Sequence, residues 1–331
     1  MNYPKIEVVD MHTGGEPLRI ITGGYPHVEG KTILDKRRYV RDHLDHLRTF
    51  LMFEPRGHKE MYGALLVEPN LPGADLAVLF MHNEGYSTMC GHAVIALARY
   101  AVDEGLVSRQ EPVTRVGIEC PCGLVNVDLD VASGNASFVS VPAFAANRSQ
   151  KIRLENGRQI VVDVAYGGAF YALVEDKLLG VDVHHDSVQK LTQVASQVTE
   201  NVKTQVDIVH PESTDLGFLY GTIITDGRLG SGMPSRNICV FADEQVDRSP
   251  TGSGVTARMA LAHAVGSVGI DETVTFESIV GSKFEAKVVD TTSIGSMPAV
   301  QVEVSGKAFY TGRTVFEFEE GDDLGKGFLC R

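Results

Sequence analysis

The chain repeats itself at about half its length. MCGHAVIALARYAVDEG, Met89 to Gly105, lies over PTGSGVTARMALAHAVG, Pro250 to Gly266, without a gap and at an offset of 161 residues. Cys90 then faces Thr251, Gly91 faces Gly252, Val94 faces Val255, Ala96 faces Ala257 and Gly105 faces Gly266. The surroundings recur in the same order. Each half has a Gly-Gly pair beside apolar residues, HTGGEPLRII at Gly14-Gly15 and AYGGAFYALV at Gly167-Gly168. Each then has a helical stretch. In SVQKLTQVASQVTENV, Val188, Leu191, Val194, Val198 and Val202 recur at helical spacing, and ILDKRRYVRDHLDHLRTFLM is its charged counterpart. Strand-like segments follow, GALLVEP and ADLAVLFMH in one half, GFLYGTIIT and NICVFA in the other. A glycine-opened helix comes next. Hairpins close each series, RVGIECPCGLVNVDLDV turning at Cys122-Gly123 and TVTFESIVGSKFEAKVV at Gly281-Ser282.

This duplication predicts an α+β protein of two pseudo-symmetric lobes, residues 1–150 and 151–331, each a curled, mostly antiparallel sheet around one central helix. Whether the strands after Gly306 return to the first lobe stays open. With 331 residues, 43% of them hydrophobic, the chain can bury one large core or two medium ones. A net charge of -13 with scattered Lys and Arg speaks against nucleic acid. No apolar run reaches a membrane-spanning length, and MNYPKIEVVD lacks the apolar core of a signal peptide. Five sparse cysteines read as reduced thiols in a cytoplasmic protein.

Two facing lobes would bring both helix N-termini to one cleft. In DRSPTGSGVTARMALAHA, Ser249 and Pro250 read as cap and first-turn residues, and the glycines leave the backbone bare where its first N–H groups point outward. Backbone N–H groups of Gly91, His92, Gly252 and Ser253 could there hold a small carboxylate, aided by both helix dipoles. A thiol at a helix N-terminus has its pKa drawn down, so Cys90 is a candidate base or nucleophile with Thr251 opposite. Each residue also has a plainer reading. Cys90 could be a small buried hydrophobe, His92 a satisfied structural histidine, and Asp247 the cap of its turn. Asp247 beside an anion cradle also suits the ammonium group of an amino acid.

The segments MCGHAVIALA, DRSPTGSG, DMHTGGEPLRI and EPRGHKEMYGALL closely resemble the proline racemase superfamily, and the resemblance runs through nearly the whole chain. It implies the proline racemase and diaminopimelate epimerase-like fold, with the active site between the lobes and no metal or organic cofactor. Racemases and epimerases of that family carry two cysteines, in MCGH and DRSPCG. This sequence keeps Cys90 but has Thr251 in the second place, the pattern of the branch that dehydrates trans-3-hydroxy-L-proline. HTGGEPLRI and LGFLYGTI look like that branch too. Racemisation needs a base on one face of Cα and an acid on the other. A threonine hydroxyl is too weak an acid for that exchange. A one-base site can still remove the α-proton, and loss of a β-hydroxyl as water completes an elimination to Δ1-pyrroline-2-carboxylate. The resemblance makes Cys90 the base and Thr251 the partner of the departing hydroxyl. Asp247 would meet the ring nitrogen, Gly91-His92 and Gly252-Ser253 would flank the ligand, and Tyr62 and Phe241 would be aromatic walls unless they are ordinary core aromatics. The partner implied is a small amino acid, and related enzymes are often homodimers.

Other motifs fail. GGYPHVEGKT misses the spacing of a phosphate loop, and GRLGSG lacks a strand–loop–helix setting. No G-x-S-x-G elbow is present. Cys120 and Cys122 in ECPCG make a poor zinc site without nearby partners. Asp186 or Ser187 reads as a helix cap, and His82, Asn83 and Glu84 carry no assigned role. Two rivals stand beside the dehydratase: a hydroxyproline epimerase or proline racemase-like enzyme using water as its second acid, and a solute-binding protein closing on an amino acid.

Overall fold

The computed structural model describes residues 4–229 and 233–330. Met1 to Tyr3 of MNYPKIEVVD and Gly230 to Gly232 of GRLGSG lie outside the described residues. The chain forms two compact units. One takes the chain as far as Phe138 and again from Lys307, and the other is Val139–Gly306.

In the first unit, strands Ile6–Thr13 and Glu16–Gly23 form a hairpin. Its turn is Gly14-Gly15, with φ of 61 and 92, a backbone that glycine adopts without a Cβ penalty. The far half of strand Met297–Phe316 pairs antiparallel with Ile6–Thr13, from Ile6 opposite Phe316 to Thr13 opposite Ala308. ILDKRRYVRDHLDHLRTFLM forms two helices, Ile33–His43 and Asp45–Met52, parted at Leu44. The break has a use. It turns Leu47, Phe50, Leu51 and Met52 into the core while Arg48 folds back on Asp45 at 2.7 Å. Strand Tyr62–Val67 then pairs parallel with Glu16–Gly23 and antiparallel with Leu76–His82. After helix Gly91–Asp103, strand Val113–Cys120 runs parallel to Leu76–His82 and closes a hairpin with Gly123–Asp130. The turn is Pro121-Cys122, one residue earlier than the sequence suggests, because Cys120 pairs with Gly123.

The second unit follows the same plan. Gln159–Tyr166 and Phe170–Glu175 form the Gly-Gly hairpin, and helix Val188–Gln205 carries the chain to Leu219–Thr225, parallel to Phe170–Glu175. Ser187 caps that helix, accepting from the Lys190 N–H at 3.3 Å. Leu191, Val198 and Val202 are buried as the spacing predicts, but Val188 is exposed in the first turn. Ser235–Phe241 pairs antiparallel with Leu219–Thr225. After helix Gly252–Ala264, Val274–Glu277 runs parallel to Ser235–Phe241 and antiparallel to Lys283–Ile294. The core gathers Phe144, Tyr166, Phe170, Val198 and Ile224.

The two repeated helices match in length, 13 residues each, and in how they end. Gly105 and Gly266 have φ of 71 and 74. Leu106 N–H donates to Ala101 at 2.8 Å and Ser267 N–H to Ala262 at 2.9 Å, the same Schellman closure twice. In Gly91–Asp103 every residue but Arg99 and Asp103 is buried, as a helix with almost no polar face requires. In the second unit the hairpin turn presses on the helix directly. A Cβ at Gly167 would sit 2.2 Å from the Ser253 carbonyl oxygen and 2.5 Å from the Ala257 nitrogen, so only glycine fits.

Candidate active site

Each unit presents one set of groups around the start of its repeated helix. In the first, Cys90 is the N-cap of Gly91–Asp103, in extended backbone with φ of -150. Its side chain makes no cap. The first intrahelical bond runs from Val94 N–H to the Cys90 carbonyl, leaving the N–H groups of Gly91, His92 and Ala93 without helical acceptors. The Cys90 sulfur lies instead 3.1 Å from His92 Nδ1. His92 Nε2 lies 3.3 Å from the Pro17 carbonyl oxygen. A carbonyl can only accept, so Nε2 carries the ring hydrogen and Nδ1 turns its lone pair to the thiol. Burial pushes the His92 pKa down to about 4, so the ring is neutral at pH 7. Thr13, at the end of the Gly-Gly hairpin, donates to the His92 carbonyl at 2.7 Å and fixes this turn of helix to the sheet.

Tyr62 opens its strand with its ring edge-on to His92, centroids 5.0 Å apart, and its hydroxyl bonds to Ser87. His82 stacks on the Tyr62 ring with centroids 5.8 Å apart. The segment His82-Asn83-Glu84 is scaffolding. Arg48 donates to the carbonyls of His82 and Asn83, and the Asn83 amide donates to Met52 and His58 carbonyls at 3.0 and 3.2 Å. His82 is pushed to about 4 by burial, helped by Arg48 and Arg37. In the unfolded chain both histidines take up protons near pH 6.5. Between there and pH 4 the unfolded state therefore binds more protons, and stability falls as pH falls. Each contributes about 1.4 kcal/mol per pH unit in that window. Urea unfolding of His82→Asn between pH 6 and 5 should show a slope shallower than the parent's by that amount.

In the second unit Asp247 ends strand Gln245–Asp247 and is buried. Two short turns follow. Ser249 N–H donates to the Asp247 carboxylate at 2.7 Å, and Thr251 N–H donates to the Ser249 hydroxyl at 3.1 Å. Ser249 and Pro250 therefore precede the helix, and the N-cap is Thr251, two residues later than the sequence suggests. Thr251 has φ of +70, a costly conformation for a β-branched residue and one that recurs at functional positions. Its hydroxyl leans to Asp247, helping to keep that carboxylate charged, but closes no hydrogen bond of ordinary geometry. Burial is the stronger influence and raises the Asp247 pKa. The first intrahelical bond is Val255 N–H to the Thr251 carbonyl, so Gly252, Ser253 and Gly254 keep bare N–H groups.

Phe241 stacks on Tyr220 with centroids 5.3 Å apart, and Tyr220 meets Tyr171 edge-on at 5.8 Å. The buried Tyr171 hydroxyl lies 2.8 Å from Ser253 Oγ. Arg258, wholly inside the unit, donates to Asn237 at 2.9 Å, and Asn237 reaches the Pro250 carbonyl at 3.4 Å. Burial lowers the Arg258 pKa to about 10, so it stays charged. Tyr171, Asn237 and Arg258 thus brace the turn that carries Thr251. They were not among the sequence candidates, since nothing local marks a Tyr in a strand or an Arg in a helix as inward-facing. Of the sequence candidates, Tyr62, Cys90, Gly91 and His92 come together in one unit. Asp247, Thr251, Gly252 and Ser253 come together in the other, with Phe241 in the aromatic group behind Ser253.

The proline racemase family model matches residues 8–329. A trans-L-3-hydroxyproline dehydratase of Xenopus tropicalis is 54% identical, covering 99% of this chain and 96% of its own. The human trans-3-hydroxy-L-proline dehydratase is 53% identical over 99% of this chain and 95% of its own, and that of Burkholderia cenocepacia is 42% identical over 98% of each. Among solved structures, a hydroxyproline epimerase from Agrobacterium vitis with bound trans-4-hydroxy-L-proline has a TM-score of 0.90 at 26% identity, covering 98% of this chain and 95% of that one. A probable proline racemase from Agrobacterium radiobacter gives the same score and identity, covering 98% and 96%. With the family model spanning nearly its whole length and relatives more than half identical, the chain belongs to the proline racemase family.

Proposed function

We propose that this protein dehydrates trans-3-hydroxy-L-proline to Δ1-pyrroline-2-carboxylate and water. The name carried by relatives at 41–54% identity supports this substrate and reaction. The observation that carries the chemistry is that the N-caps of two helices of equal length differ in their reactive group, a thiol at Cys90 and a hydroxyl at Thr251.

In this reading the substrate carboxylate lies on bare N–H groups of the first helical turns, and Asp247 takes the ring ammonium. The Cys90 thiolate removes the α-proton. The helix end steadies the sulfur while it is charged, and the His92 Nδ1 lone pair steadies the thiol once it holds the proton. Thr251 hydrogen-bonds the 3-hydroxyl, which leaves as hydroxide and takes one proton from solvent to become water, matching the α-proton that Cys90 later releases. The enamine left behind tautomerises to the cyclic imine, and the abstracted proton passes to solvent. Atoms balance, one substrate giving one imine and one water. Five free cysteines suit the cytoplasm, and assembly as a homodimer belongs to the same proposal.

Proton NMR of trans-3-hydroxy-L-proline with the enzyme tests the reading. The expected result is loss of the Cα and C3 signals with growth of Δ1-pyrroline-2-carboxylate. An epimer without elimination would favour the epimerase and overturn the dehydratase. Asp247→Ala should raise KM by about 10–100-fold, the loss of one buried charged partner. Unchanged KM would remove Asp247 from the site.

A further inference from the structure

The ECPCG turn takes no part in the reaction proposed above. Cys120 ends its strand and is wholly buried, whereas Cys122, one of the two loop residues of the hairpin, is exposed. Cysteines two apart in so tight a turn fall near the about 4.4–6.8 Å Cα spacing that a disulfide needs. The turn is tied to the catalytic segment, because Cys122 N–H donates to the Thr88 carbonyl at 3.1 Å, two residues before Cys90. Among the described residues, no group of three or more His, Cys, Asp or Glu is arranged to hold a metal.

The two thiols are unlike. Burial pushes Cys120 well above the ordinary thiol range, with the nearby Cys122 and Cys90 adding to it. A hydrogen bond from Cys120 holds Cys122 below that range. An exposed cysteine whose thiol is held below the ordinary range, beside a buried one held above it, is the arrangement of a peroxide-sensing pair.

We propose that Cys120 and Cys122 are a modification site, forming a reversible disulfide when the protein meets hydrogen peroxide and thereby slowing the reaction at Cys90. The Cys122 thiolate attacks one peroxide oxygen, giving a sulfenic acid and releasing the other oxygen as water. The Cys120 thiol then attacks the sulfenic sulfur, and its oxygen leaves as a second water. Two thiols are oxidised and one peroxide is reduced. Closing the bond tightens the turn and draws on Thr88, displacing Cys90. Misplacing a catalytic group by about 1 Å can cost on the order of 100-fold in rate. A disulfide across so short a loop is strained and easily reduced, which makes the change reversible.

The experiment treats the whole protein with hydrogen peroxide, digests it with trypsin and weighs the fragments. Val116 to Arg148 carries both cysteines of the pair, and Glu60 to Arg99 carries Cys90. The first fragment should lose two hydrogens, while Cys90 in the second should still be alkylated by iodoacetamide, whatever oxygen Met61, Met81 and Met89 gain. Activity should fall about 10–100-fold, and dithiothreitol should restore mass and activity together. Cys122→Ser should keep its basal activity and resist the same peroxide. Both thiols surviving in the parent, or equal inactivation of Cys122→Ser, would overturn the proposal. The mass change is read without turnover, so its failure is separate from any failure of the dehydratase reading.

Discussion

Cys90→Ser turns over trans-3-hydroxy-L-proline about 1,000-fold more slowly than the parent, or not at all. A serine hydroxyl is not appreciably ionised at neutral pH, so neither the helix end nor His92 can make it a useful base. The substitution leaves the fold intact. Cys90 sits at an N-cap in extended backbone without a side-chain cap, and serine is a better cap than cysteine there. Unfolding experiments should show stability unchanged or raised by about 1 kcal/mol, which separates lost chemistry from lost structure. Iodoacetamide should inactivate the parent, and pyrrole-2-carboxylate, flat at the carbon that bears the proton, should protect it. If Cys90→Ser kept more than a few percent of parental turnover, the base would lie elsewhere.

Thr251→Cys moves the enzyme from elimination toward proton exchange. A second thiol would restore the base and acid that family racemases carry in MCGH and DRSPCG. In deuterated water the variant should carry deuterium into the α-position of unreacted substrate or of proline, with some inversion. Dehydration should fall by about 10-fold or more, because a thiol hydrogen-bonds a leaving hydroxyl poorly. The backbone already holds a non-glycine residue at φ of +70, and cysteine, unbranched at Cβ, relieves crowding there. Proton NMR measures both outcomes in one tube. A parent that inverts its substrate faster than it dehydrates it would sink the assignment of Thr251.

What the sequence makes legible is what local chemistry determines. The Gly-Gly turns at Gly14 and Gly167, the helix starts at Gly91 and Gly252, and the paired hairpins all announce themselves through glycine and apolar spacing. Features set by distant partners do not. The break at Leu44 answers to the carbonyls of His82 and Asn83 that Arg48 must reach. The helix cap moves from Ser249 to Thr251 because Asp247 and Ser249 accept the preceding N–H groups. Positive φ at Thr251 leaves no trace in a sequence, since threonine is among the last residues expected there. Arg258 and Tyr171 are read as inward-facing only once Asn237 and Ser253 are seen beside them.

The uncapped helix starts have a consequence for how the protein exchanges hydrogen with water. Ala257 lies within its helix and against the Gly167 backbone, so its amide should exchange only when the whole unit opens. Gly252, Ser253 and Gly254 lie a few residues away, yet their amides have no helical acceptor and should exchange far faster. A carboxylate bound there would supply the missing acceptors. Occupancy would then be written as protection at three consecutive amides, against a neighbour whose exchange rate scarcely changes.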